Sequence, residues 1–135
     1  MKKPFIVLSG LLLLASVALV SWAPRSARDV AAEWLNDFYH GDYAAAERIS
    51  TNETKTLLET VQQLAAMVPD STMQAMKSIR IEVTSETIKG NTAVVMYVVS
   101  DQPGVAQPLK LVKSGESWLV LFTKNDMDMD DPERK

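Results

Sequence analysis

Five residues that could move a proton fall within a seven-residue stretch: Asp37, Tyr39, His40, Asp42 and Tyr43. A carboxylate or imidazole beside a phenol is the usual equipment of general acid–base catalysis, and burial can raise a carboxylate's pKa towards neutrality. Each residue also has a plainer role. Asp42 stands where the N-cap of a short helix is needed. His40 falls in the last turn of the preceding helix, where even partial protonation favours the helix dipole. Asp37 lies on the polar face of that helix. No charged residue or histidine stands on the inward positions of the later strands to complete a set, so no catalytic residue is assigned.

A second chemical signal is the tail. Asp126-x-Asp128-x-Asp130 imitates the opening of a calcium loop. The sixth position, which needs a turn glycine, is Asp131, and the chain ends before a twelfth-position glutamate. The run reads as a solvated acidic tail, and no metal site is expected. The chain has no cysteine, which removes disulfides, thiolate metal ligands and a lipid-acceptor cysteine together. The aromatic residues Trp34, Phe38, Tyr97, Trp118 and Phe122 are the candidates for lining a ligand pocket, although such residues more often simply fill a core this small. No cofactor is expected.

The first 23 residues differ sharply from the remainder. Behind Met1-Lys2-Lys3, residues Phe5 to Ala23 carry no charge; as a helix they would span about 28 Å, close to a bilayer's hydrocarbon core. Lys2 and Lys3 favour holding the N-terminus in the cytoplasm, so the chain beyond Trp22 is expected on the far side of the membrane. Residues 1–23 are therefore a signal peptide or a single transmembrane anchor. Ser16 and Ala18 would suit a cleavage site, whereas Ser21 and Ala23 precede Pro24 and Ala27 has Arg25 at −3. Inner-membrane anchorage facing the periplasm, and secretion after cleavage, both stay open.

Beyond residue 27 the chain has 11 Lys and Arg against 17 Asp and Glu, a net charge of −6. An acidic surface speaks against nucleic acid as a partner, because phosphate contacts need clustered positive charge.

Residues 24–27 form a short link, residues 28–124 one domain and residues 125–135 the acidic tail. Ser26-Ala27-Arg28-Asp29 reads as a capping box opening a helix to about His40. Val30, Ala31, Trp34, Leu35 and Phe38 make one apolar face, and Gly41 supplies a left-handed cap. Asp42 then caps a short helix over 43–49. Ser50-Thr51-Asn52-Glu53 reads as a second capping box, with Leu57, Leu58, Val61, Leu64, Ala65 and Val68 as one stripe up to Pro69. A further turn of helix is expected over 71–77.

The period then changes from 3.6 to 2. Ile79, Ile81 and Val83 alternate with Arg80, Glu82 and Thr84. Lys89-Gly90-Asn91, Asp101-Gln102-Pro103-Gly104 and Ser114-Gly115-Glu116 separate strands over 92–100, 105–113 and 117–123. Four strands with short turns make an antiparallel meander. Two of them, Ala93–Val99 and Trp118–Phe122, are apolar on both faces, where a sheet covered on one side should alternate. Either the sheet curls enough to enclose both faces, or its outer face meets a second copy or another envelope protein.

Helices followed by a curled sheet, with Phe38-Tyr39-His40-Gly41-Asp42-Tyr43-Ala44-Ala45-Ala46 at the first helical junction, resemble the nuclear-transport-factor-2-like (cystatin-like cone) superfamily. Leu111-Val112-Lys113-Ser114-Gly115-Glu116-Ser117-Trp118-Leu119-Val120 is similar to its closing hairpin. The nearest group is the lumazine-binding-like domain of bacterial envelope lipoproteins, from which this chain departs by having no lipid-acceptor cysteine. The resemblance implies an α+β cone over about residues 28–124, with two to three helices on a curled four-stranded antiparallel meander. Enzymes of the superfamily, such as isomerases and cyclases, place a carboxylate or histidine with a tyrosine inside the cone. The expected function is a non-enzymatic exported domain that binds a partner protein, itself or a small apolar ligand. The alternative is a small-molecule isomerase or cyclase.

Overall fold

The computed structural model describes residues 25–127. The expected anchor or signal over residues 5–23 and the tail residues Asp128 and Asp130 lie outside them. Among the described residues no helix is long and apolar enough to cross a membrane.

Helix α1 spans Ala27–Tyr39. The Asp29 backbone N–H donates to Ser26 Oγ at 3.1 Å, so the expected N-cap forms, and buried Ala27 lies inside the helix rather than in a link. A second acceptor arrives from far along the chain: the Arg28 N–H donates to Glu86 Oε2 at 2.8 Å. A carboxylate at a helix N-terminus satisfies an otherwise unpaired N–H and opposes the positive end of the dipole. At the other end Gly41 takes φ +83°, its N–H donating to the Phe38 carbonyl and that of Asp42 to the Asp37 carbonyl. This pair of bonds is the Schellman closure, which needs a residue without a Cβ at its left-handed position.

Helix α2 covers Tyr43–Glu47 and is capped by Asp42, whose Oδ1 accepts the Ala45 N–H at 3.3 Å. Helix α3 covers Asn52–Ala65, and here the expected cap shifts by one residue. Thr51, not Ser50, accepts the N–H of Thr54. Ser50 is buried and bonded elsewhere, because residues 49–51 run beside β4 (Ser117–Leu121): the Val120 N–H donates to the Ile49 carbonyl, and the Thr51 N–H donates to the Val120 carbonyl. Thr54 adds a second tie, its hydroxyl donating to the Phe122 carbonyl at 2.9 Å and accepting the Phe122 N–H at 2.8 Å.

The apolar stripe of α3 is narrower than the sequence implies. Leu58 is buried, Val61 and Ala65 pack against the core, and Leu64 is 59% exposed. Neighbours in sequence point about 100° apart on a helix, so a helix lying on a sheet cannot bury Leu57 and Leu58 equally. The helix also stops at Ala65, short of Val68. Helix α4, Asp70–Met76, follows Pro69, with Met73 and Met76 half-buried.

The sheet has the order β1-β2-β3-β4 and is antiparallel throughout, with β1 at Ile81–Lys89, β2 at Thr92–Val99 and β3 at Gln107–Ser114. Ala93, Val95, Tyr97 and Val99 form the buried face of β2, opposite Leu109 and Leu111 of β3 and Trp118 and Val120 of β4. Strand β1 carries a bulge between Val83 and Ser85. Before it Ile81 and Val83 pair with inward Val99 and Tyr97; after it Glu86 and Ile88 pair with inward Val95 and Ala93. An extra residue exchanges the two faces of a strand, and here it delivers Glu86 to the start of α1. It also leaves Ile88 on the inward set but 51% exposed at the rim.

The outer face of the doubly apolar strands is neither fully buried nor fully open. Val94, Met96, Val98, Leu119 and Leu121 on the outer face are half-buried rather than open. Lys110 stands in register between Val94 and Leu121, where its methylene stem can cover apolar surface. The first residues of the expected tail are ordered into a short helix, α5, Lys124–Met127.

Candidate functional site

At the end of the molecule where α1 closes, the sheet and helices leave a cavity of about 410 Å³. The last turn of α1 contributes Phe38 and Tyr39, the inner face of β2 contributes Tyr97 and Val99, and Phe122 and Asp126 come from the segment after β4. The connection between β2 and β3 closes the remaining side with Asp101, Gln102, Val105 and Ala106, and the start of β3 adds Gln107 and Pro108. The volume lies within the range of ordinary small-molecule sites.

Its floor is aromatic and continuous with the core. Trp34 stacks on Phe38 with centroids 4.9 Å apart and planes at 9°, and Phe122 lies 5.3 Å from Trp34 and 5.5 Å from Phe38. Phe38 meets Tyr39 edge-on at 5.5 Å. Offset and edge arrangements of this kind suit the ring quadrupoles.

The polar part joins a chain of neutral groups to two carboxylates, Asp101 and Asp126. The Tyr39 and Tyr97 hydroxyls lie 3.3 Å apart. The Tyr97 hydroxyl donates to Gln107 Oε1 at 3.5 Å, and Gln107 Nε2 donates to Gln102 Oε1 at 3.0 Å. Burial pushes both phenols above the usual tyrosine range. Tyr97 is raised further by its hydrogen bond with Tyr39, by the Tyr39 phenol's charge and by Asp126, and Tyr39 is raised by Asp101 while the bond to Tyr97 opposes the shift. Both are therefore protonated at neutral pH, able to donate a hydrogen bond and poorly suited to serve as a base. Asp126 Oδ2 accepts the N–H and the hydroxyl of Thr123 at 2.7 and 3.1 Å.

Of the five aromatic pocket candidates, Phe38, Tyr97 and Phe122 line this cavity. Trp34 lies beneath it, 1% exposed and part of the core. Trp118 is buried at the start of β4, with the Lys113 ammonium 5.6 Å from its ring, and does not reach the cavity. Of the five proton-moving candidates only Tyr39 lines it. Asp42 is occupied as a cap. The His40 Nε2–H donates to the Ile79 carbonyl at 2.7 Å, fastening α1 to the approach of β1. Tyr43 is buried edge-on to Phe38. Asp37 has a raised pKa, first from burial and then from Asp42 and Glu33, with His40 and Arg48 pulling the other way. It is absent from the cavity wall.

The acid and amides of the β2–β3 connection do not stand out in the sequence, because Asp101-Gln102-Pro103-Gly104 reads simply as a turn. A polar residue at the inward first position of a strand, Gln107, was the one available signal. Among the described residues no three His, Asp or Glu side chains converge on a point where a metal could bind.

No family model matches the chain, and no curated protein matches it. Among solved structures it is similar to a proposed NTF2-like transpeptidase from Campylobacter jejuni, with a TM-score of 0.54 and 21% identity over 73% of this chain and 100% of that one. The chain thus has the nuclear-transport-factor-2-like fold, an α+β cone with helices followed by a four-stranded antiparallel sheet. The narrower likeness to lumazine-binding-like domains is not singled out by any match.

Proposed function

We propose that this chain is an exported, non-catalytic binding domain whose ligand is a small molecule held in the cavity between α1, β2 and the β2–β3 connection. The observation that carries the reading is an aromatic-floored cavity of about 410 Å³ with the Tyr39–Tyr97 hydroxyl pair in its wall. Apolar walls with a few placed polar groups are the common form of a small-molecule site. The ligand is amphipathic rather than wholly apolar, since Gln102, Gln107 and two carboxylates share the lining. Binding is favoured over turnover because no histidine lines the cavity and Asp126 is engaged by Thr123. The fold neighbour's name points to acyl transfer, which needs a nucleophile. This chain has no cysteine, and no serine, threonine or histidine lines the cavity.

Residues 5–23 hold the domain to, or carry it across, the inner membrane, so that it works on the periplasmic side. The outer face of the sheet is its protein-binding surface, towards a second copy or another envelope protein.

Ala106 provides the test, because it is exposed at the cavity mouth and Ala106→Trp obstructs entry without touching the core. Aromatic fragments screened by ligand-detected NMR should bind the full-length chain and lose binding to Ala106→Trp. Equal binding to both proteins would place the ligand elsewhere.

A further inference from the structure

We infer that the ligand of this cavity is an organic cation, an ammonium group carried on an apolar or aromatic body. The inference rests on the binding role proposed for the cavity and specifies its chemistry. Four aromatic rings, Phe38, Tyr39, Tyr97 and Phe122, and two carboxylates, Asp101 and Asp126, line the space, and no lysine, arginine or histidine does. Ring faces and carboxylates attract the same sign of charge. The ion pair among the described residues is Arg25–Glu33, so neither Asp101 nor Asp126 is neutralised by a described partner.

Desolvation separates the candidate ligand classes. Any molecule that fills the mouth takes water from Asp126, which is already half-buried. Removing water from a carboxylate is costly unless a positive charge or hydrogen bonds replace it. An anion would add repulsion from two carboxylates with no cation to offset it. A neutral molecule would leave the loss of hydration only partly made good. A cation gains from both acids and from the rings together. The acids are close enough to act on the two phenols of the wall: Asp126 raises the Tyr97 phenol and Asp101 raises that of Tyr39, each in addition to burial. A bare metal ion is a poor match, since the described residues offer no third ligand.

A series with one body and three end groups tests this: 4-phenylbutylammonium, 4-phenylbutanol and 4-phenylbutyrate, titrated into the full-length chain in neutral detergent. The ammonium should bind about tenfold more tightly than the alcohol, a preference of the size a partly desolvated cation site gives. The butyrate should bind most weakly, and added salt should weaken the ammonium selectively. Asp126→Asn should erase most of the preference. Because Asp126 also holds Thr123, the exposed Asp101→Asn provides a second variant with no structural bond to lose, and it should narrow the preference as well. If alcohol and ammonium bind equally, the cation inference is overturned while the binding domain stands. If none of the three binds, both fall. Ammonium binding that ignores both variants and Ala106→Trp would overturn the assignment to this cavity.

Discussion

The indole N–H of Trp34 donates to Ser50 Oγ at 2.8 Å, and the Ser50 hydroxyl donates onward to the Ala46 carbonyl at 2.7 Å. Both side chains are buried, and they join α1 to the segment running beside β4. Ser50→Ala would strand the indole N–H away from water, and such a buried unpaired donor costs about 1–3 kcal/mol. Urea unfolding should show a loss of that size. Placed on Trp34→Phe, which has no N–H to strand, Ser50→Ala should cost clearly less, leaving a measurable coupling in the double-mutant cycle. Strict additivity of the two changes would deny the bond any energetic role.

Gly41 closes α1 with φ +83°, and a Cβ built there would lie 2.9 Å from Met73 Cε. Two costs are thereby superimposed. The methionine tip is flexible and can move, whereas the left-handed backbone cannot be relieved by a neighbour. Gly41→Ala should destabilise by about 1–2 kcal/mol, the penalty of a left-handed non-glycine residue. Met73→Ala in the same chain should restore little of it. Full recovery in thermal unfolding would show that the clash, not the backbone, dominates.

Asp37 is held above its ordinary pKa of 3.8 by burial and by Asp42 and Glu33, against His40 and Arg48. A carboxyl raised on folding binds its proton more tightly in the native state. Its contribution therefore favours the folded form at pH values below 3.8 and is lost as pH rises through the elevated native value. At neutral pH the charged form is a burden. Asp37→Asn should be more stable than the native chain at about pH 7, with the gap shrinking as pH falls through the elevated native value and closed below 3.8. Chemical denaturation at several pH values checks this, and a gap that widened in acid would reverse the sign.

Much of the architecture is legible in local chemistry. Ser26, Gly41 and Asp42 perform the capping their types announce, and the turns at Gly90 and Gly115 fall where glycine precedes a polar residue. Legibility ends where distant segments decide. Ser50 has the composition of an N-cap, yet β4 draws its neighbours into a backbone pairing and Trp34 takes its hydroxyl. Nothing local marks the bulge after Val83, which carries Glu86 to the start of α1. The candidate site divides in the same way. Its rings Phe38, Tyr97 and Phe122 stand out as large apolar residues, whereas Asp101, Gln102 and Gln107 meet them only where the loop after β2 and the start of β3 close one side of the cavity.

The outer face of the sheet supports one further expectation. Met96 and Pro108 stand in register, as do Val94 with Lys110 and Val112 with Leu119. The face is thus a largely apolar band, half-buried on β2 and β4, with Glu82 and Lys89 on the β1 side and Lys110 standing within it between Val94 and Leu121. Contiguous apolar surface beyond a few hundred Å² commonly marks an interaction site on a soluble protein. A two-fold arrangement lets the same band cover itself in a second copy. Sedimentation of the full-length chain in detergent, or of a released domain if proteolysis yields one, should show a dimer that dissociates on dilution. Met96→Lys, placed at the centre of the band, should leave the fold intact and shift the species to monomer. A protein that stays monomeric across the accessible concentrations would refute self-pairing, and a dimer untouched by Met96→Lys would move the interface to another face.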